Sequence, residues 1–191
     1  MRIAVIGVGK VGGTLGERWR DAGHQVVYGS RHPAAQGPGG APVRAVPEAL
    51  DDADAVLLAV PDRAVAGVVA EQAAGLDGKV VIDATNRIGG WDSVNAHAEI
   101  ADAAPQARYV RAFSTLGWEN FADPLPGTAM FYAADPAATD VAKQLITAVG
   151  LDPVLVGDAG AAGIVDGLLP LWFALVRQHN GNRRIALHLL T

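Results

Sequence analysis

The sequence has no cysteine, which excludes disulfides, thiolate metal sites and a cysteine nucleophile whatever the fold. Charged residues are also few, at 18% of the chain, and Lys+Arg number 15 against Asp+Glu 20, for a net charge of −5. No basic run occurs, and a phosphate-backbone partner would need clustered cations, so nucleic-acid binding is disfavoured. Long hydrophobic runs are missing too. The longest, Ile164 to Val176, is interrupted by Asp166, Gly167 and Pro170 and falls short of the roughly 20 residues of a membrane span. Only Ile3 to Ile6 are apolar before Gly7, too short a stretch for a secretory leader. No membrane association is expected, and the expected location is cytoplasmic. The five histidines (His24, His32, His97, His179, His188) show no ligand spacing, so no metal is expected.

What is present points to one large core. Half of the 191 residues are hydrophobic and mean hydropathy is +0.21, enough for one α/β unit with a small appendage. Short β-branched runs alternate with helical patterns, which implies βαβ units and a parallel sheet. Strands are predicted at Ile3–Ile6, Gln25–Tyr28, Val43–Val46, Ala55–Val60, Val80–Asp83, Arg108–Phe113, Met130–Ala133 and Pro153–Val156. Helices are predicted after the first strand with Val11, Leu15 and Trp19 on one face, from Pro47, and over Arg63–Ala74, Asn95–Ala104 and Thr139–Val149. Residues 33–42 read as a flexible Gly/Pro loop. From about Ala161 the chain reads as apolar helix ending in a mixed tail. The expectation is a doubly wound, mostly parallel Rossmann sheet over residues 1–158 and a short helical segment over 159–191.

Gly7-Val8-Gly9-Lys10-Val11-Gly12 matches G-x-G-x-x-G directly between a strand and an amphipathic helix. Gly7 permits the tight turn, Gly9 lets backbone approach a pyrophosphate, and Gly12 lets helix and strand pack closely. The pyrophosphate would lie over free N–H groups at the positive end of the helix dipole. The strand–loop–helix context makes a ligand-free glycine turn the weaker reading. The end of the second strand selects the dinucleotide. An NAD site wants a carboxylate there for the ribose hydroxyls; this chain has Tyr28-Gly29-Ser30-Arg31-His32. Ser30, Arg31 and His32 can donate to a 2′-phosphate, so NADP(H) is expected over NAD, the alternative being a solvated polar turn.

Further segments follow in order: Ala59-Val60-Pro61, Ile82-Asp83-Ala84-Thr85-Asn86, and Arg111-Ala112-Phe113-Ser114-Thr115-Leu116-Gly117 with Glu119-Asn120. With the glycine loop and Gly29-Ser30-Arg31, they make the chain resemble the NADPH-dependent reductases of coenzyme F-420, a deazaflavin, and their NADP-oxidoreductase relatives. The resemblance covers nearly the whole chain. It implies that Ala59, Val60 and Pro61 flank the adenosine and nicotinamide-ribose path and that Ala112 and Phe113 lie near the nicotinamide. It departs from the family pattern at Val8, where threonine is frequent, at Ala34 and Ala35, where a lysine is frequent, and at Ser114, where asparagine is usual.

Hydride transfer between nicotinamide and a flavin or deazaflavin asks little of side chains, because the cofactors carry the reaction. The chain offers no Tyr-x-x-x-Lys and no lysine after Lys143, which argues against short-chain carbonyl reductases and β-hydroxyacid dehydrogenases. The roughly hundred-residue substrate domain of imine reductases is also missing. No catalytic side chain is expected; Ala112, Phe113 and Ser114 position the rings. Asp83, Thr85 and Asn86 cluster at a strand end; Asn86 is read as cofactor-binding, and Asp83 reads equally as a ligand or as a loop cap. Trp118, Trp172 and Phe173 are candidates for a stacking wall, although core or dimer packing suits the last two better. The apolar C-terminal stripe suggests closure of the active-site edge and a homodimer, which a monodisperse monomer in micromolar sedimentation would contradict. Two other readings stay open: an NADPH reductase of a small carbonyl or imine, with Ser114, Thr115 or a water handling the proton, and a non-catalytic NADP(H)-binding redox sensor.

Overall fold

The computed structural model describes residues 1–87 and 94–190. Eight strands among them form one sheet. They are β1 (Arg2–Ile6), β2 (Gln25–Gly29), β3 (Val43–Arg44), β4 (Ala55–Leu58), β5 (Val80–Asp83), β6 (Arg108–Arg111), β7 (Ala129–Ala134) and β8 (Asp152–Gly157), in the order β3-β2-β1-β4-β5-β6-β7-β8. Every neighbouring pair is parallel except β6–β7. The order reverses direction between β1 and β4, which opens a crevice at their carboxyl ends.

The sheet is covered on both faces, and that is why its central strands read as continuous apolar runs. Ile3, Val5, Leu57 and Ile82 point to one face, where they join Leu15, Trp19, Phe121 and Leu145. Ala4, Ile6, Val56, Leu58 and Val81 point to the other, against Leu50, Val65, Val69, Leu76 and Ile100. The helices are α1 (Lys10–Asp21), α2 (Val46–Leu50), α3 (Asp62–Glu71), α4 (Ala73–Leu76), α5 (His97–Ala103), α6 (Glu119–Ala122), α7 (Thr139–Val149), α8 (Ala162–Asp166) and α9 (Leu168–Gln178). Helix α1 buries Leu15 and Trp19 completely. The Trp19 indole N–H donates to the Leu145 carbonyl at 2.9 Å, tying α1 to α7, and its ring meets Phe113 edge-on at 5.9 Å. Gly16 is required because a Cβ there would run into the Tyr28 hydroxyl. That hydroxyl donates to the Gly13 carbonyl at 3.2 Å, and burial pushes the Tyr28 phenol up to about 12.

Several boundaries differ from expectation for local reasons. The strand expected over Val43–Val46 ends at Arg44, because Pro47 in the first turn pulls Val46 into α2. The helix expected over Arg63–Ala74 divides at Gln72 into α3 and α4. The strand expected to reach Phe113 stops at Arg111; Phe113 adopts a left-handed φ of 60°. The Gly/Pro loop holds a 3-10 turn at Pro38–Gly40 and a bridge between Ala34 and Val43. The helical C-terminus ends at Gln178, where Asn180 and Gly181 take positive φ. The tail beyond returns along β7, with the Ala129 N–H donating to the Leu187 carbonyl at 2.8 Å. The last residue of the 159–191 segment, Thr191, lies outside the described residues.

Candidate functional site

The glycine loop leaves β1 and enters α1 at the crevice. Gly7 has φ 114° and its N–H donates to the Gly29 carbonyl at 3.2 Å; a Cβ on it would overlap the Ala59 carbonyl oxygen. A Cβ on Gly12 would overlap the Gly7 carbonyl oxygen. These two glycines are thus demanded by the chain's own packing. Gly9 is different. Its backbone is extended at φ −74° and ψ −172°, which any residue can adopt, and a Cβ there would meet nothing within 4 Å. The chain's own packing therefore does not require glycine at position 9. Gly9 also caps α1 without a side-chain hydrogen bond, and no acidic residue stands in the first turn. The first intrahelical bond is Gly13 N–H to the Gly9 carbonyl at 2.8 Å, and the helical N–H groups before it have no backbone acceptor among the described residues. Such an end suits an anion. The side chains of Val8 and Lys10 are exposed beside it, and Val11 packs partly against the core.

At the end of β2, the Ser30 N–H donates to the Arg44 carbonyl at 2.9 Å, and the Ser30 hydroxyl accepts from the His32 N–H at 3.1 Å. Arg31 and His32 are exposed. Arg31 has no ion pair among the described residues. Arg44, whose carbonyl accepts from the Ser30 N–H, is exposed at the end of the neighbouring strand β3.

On the other side of the crevice, the Ala59 N–H donates to the Ile6 carbonyl at 2.9 Å, bringing Ala59, Val60 and Pro61 beside Gly7. Asn86 follows β5 and its Nδ2 donates to the Ser114 carbonyl at 2.7 Å. Ala112 is fully buried after β6, and among the described residues the Ser114 hydroxyl is buried without a hydrogen-bond partner. The Lys10 ammonium lies 4.8 Å from the centroid of the Trp118 ring, which links the start of α1 to the segment leading into α6. The glycine loop, residues 59–61, Asn86 and residues 112–118 therefore meet at one edge of the sheet.

One expected role changes, and two open alternatives are decided. The Phe113 ring does not face the crevice; it is buried between Trp19 and Phe121, whose centroid lies 5.6 Å away. Trp172 is buried and donates to the Ile185 carbonyl at 3.0 Å, so it fastens the tail to α9. Asp83, open between ligand and loop cap, is fully buried and caps its own loop. Its carboxylate accepts from Thr85 N–H (2.9 Å), Thr85 Oγ1 (2.6 Å), Ala96 N–H (2.7 Å) and the Tyr109 hydroxyl (2.9 Å). Burial, with Asp83 alongside, pushes the Tyr109 phenol far above its ordinary value. It stays a neutral donor to that carboxylate.

Residues 2–87 match the family described as NADP oxidoreductase, coenzyme F420-dependent. Among solved structures, a candidate F420-dependent NADP-reductase from Arthrobacter sp. FB24 superposes over 100% of both chains at 24% identity and a TM-score of 0.85. A hypothetical protein of Sinorhizobium meliloti matches at 28% identity and a TM-score of 0.72, over 85% of this chain and 88% of that one. An imine reductase of Streptomyces aurantiacus matches at 21% identity and a TM-score of 0.70, over 94% of this chain but 64% of its own longer chain.

Proposed function

We propose that this chain, whose residues 2–87 carry the domain described as NADP oxidoreductase, coenzyme F420-dependent, is an NADP-dependent oxidoreductase that passes hydride between NADP(H) and a deazaflavin or flavin ring. The observation that carries it is the open space at Gly9 over an uncapped helix start. Gly7, Val8, Gly9, Lys10, Val11 and Gly12 would receive the pyrophosphate on backbone amides. Ser30, Arg31 and His32 would hold the 2′-phosphate. Residues 59–61, Asn86, Ala112 and Ser114 would line the nicotinamide end. Residues 1–158 thereby form the cofactor unit, and 159–191 close its edge. When bound, the nicotinamide supplies or accepts the hydride at its own ring carbon; the protein holds two planar rings in register and keeps water out.

The buried charges behind this edge support a reaction without side-chain acid–base steps. Asp83, Arg111 and Asp166 are consumed in bonds to one another and to the main chain. The Ser114 hydroxyl is buried without a partner among the described residues, behind the edge that would line the ring. The apolar face of α8 and α9 leaves Ile164 67% and Leu171 46% exposed, a surface that a second copy of the chain would cover.

Two measurements test this reading. Mixing protein, NADPH and F-420, FMN or FAD should bleach the nicotinamide absorbance band with at least one acceptor; binding without turnover across these rings and simple carbonyls and imines would mark a non-catalytic module instead. Arg31→Ala should raise the NADPH dissociation constant tenfold or more, since a hydrogen bond to a charged group contributes about 1.5–3 kcal/mol, and should leave NADH binding within twofold. Equal losses on both nucleotides would remove Arg31 from the phosphate site.

A further inference from the structure

Arg111 is fully buried at the end of β6, and each of its three guanidinium nitrogens donates a hydrogen bond. Nε donates to Asp166 Oδ1 at 2.7 Å, and Nη2 forms an ion pair with the same oxygen at 2.6 Å. Nη1 donates to the carbonyls of Thr85 (2.6 Å) and Asp83 (3.1 Å). Nη2 donates to Asn86 Oδ1 at 3.0 Å. Asp166 ends α8, and its other oxygen accepts from Asn95 Nδ2 at 2.6 Å.

A buried guanidinium between two carboxylates is an expensive way to dock a helix, because apolar side chains of similar size do it as well or better. What apolar side chains cannot do is orient a carboxamide. With Oδ1 held by Arg111 and one Nδ2 hydrogen given to the Ser114 carbonyl, Asn86 cannot flip. Among the described residues its second Nδ2 hydrogen has no acceptor, at a half-buried position on the crevice edge.

We propose that Asp166, acting through Arg111, is a positioning residue for the nicotinamide end of the cofactor site, so that the helical C-terminal segment helps set how that ring is held. Asp166 touches no ligand itself; it fixes the guanidinium, and the guanidinium fixes Asn86. This inference rests on the NADP(H) reading above.

The test compares two probes by calorimetry: NADP⁺, and 2′-phospho-ADP-ribose, which lacks the nicotinamide. Asp166→Leu should weaken NADP⁺ binding about tenfold, a difference of roughly 1.4 kcal/mol, while 2′-phospho-ADP-ribose changes less than twofold. Asn86→Ala should give the same selective loss. Asp166→Leu added to Asn86→Ala should cost nothing further, because the two act in series. Asp166→Asn, which keeps an acceptor oxygen, should restore most of the affinity, and it carries the test if the leucine variant does not fold. Equal weakening of both probes, unchanged NADP⁺ binding, or additive losses in the double variant would overturn the proposal. Wild-type protein that fails to bind 2′-phospho-ADP-ribose would instead defeat the NADP(H) reading, and this inference with it.

Discussion

Gly9→Val should abolish measurable NADPH binding while leaving the protein folded. At φ −74° and ψ −172° valine meets no backbone strain, and its Cβ would have no neighbour within 4 Å. The expected stability cost is at most about 1 kcal/mol, from a poorer helix cap. The side chain would instead fill the space over the first amides of α1. Losing two charge-assisted hydrogen bonds at about 1.5–3 kcal/mol each raises the dissociation constant a hundredfold or more. Calorimetry reads the affinity and a thermal melt reads the fold. Gly12→Val is the contrasting control: its Cβ collides with the Gly7 carbonyl, so binding and stability should fall together. A Gly9→Val protein that bound NADPH as well as its parent would show that the diphosphate does not lie there.

Arg111→Met should destabilise the fold by about 3–5 kcal/mol in chemical denaturation, the cost of removing one partner from a buried ion pair. The loss falls unevenly on the two carboxylates. Asp83 keeps four donors, from Thr85 (two), Ala96 and Tyr109, whereas Asp166 keeps the Asn95 amide and little water. Adding Asp166→Leu to Arg111→Met should therefore recover more than half of the lost stability, because it removes the stranded charge. A loss below about 1 kcal/mol in the single variant, or no recovery in the double, would mean that water or a rearranged helix already compensates Asp166.

The glycine loop was legible because its requirements are local. Gly7, Gly9 and Gly12 sit within six residues, and Ser30-Arg31-His32 follows a strand whose apolar run announces itself. The helix–sheet faces were legible for a similar reason: Val11, Leu15 and Trp19 recur at helical spacing. Helix α6, at four residues, is too short to show a period. The inward turn of Phe113 depends on Trp19 and Phe121, which no pattern around residue 113 reveals. The Asp83–Arg111–Asp166 cluster was the largest omission. Arg111 reaches Asn86, Thr85, Asp83 and Asp166 across 25, 26, 28 and 55 positions, and each residue alone reads as an ordinary polar side chain near a strand or helix end.

By itself, then, the sequence determined the alternation of strands and helices, the position of the anion-ready helix start and the absence of a carboxylate after β2, because spacing and residue type decide these within one or two turns of chain. Only the tertiary structure decided that Asp83 serves its own loop, that the C-terminal tail doubles back along β7, and that a helix eighty residues beyond Asn86 helps hold it. Those outcomes depend on which distant groups are buried together, and burial converts a nearly free surface charge into one that must find its partners.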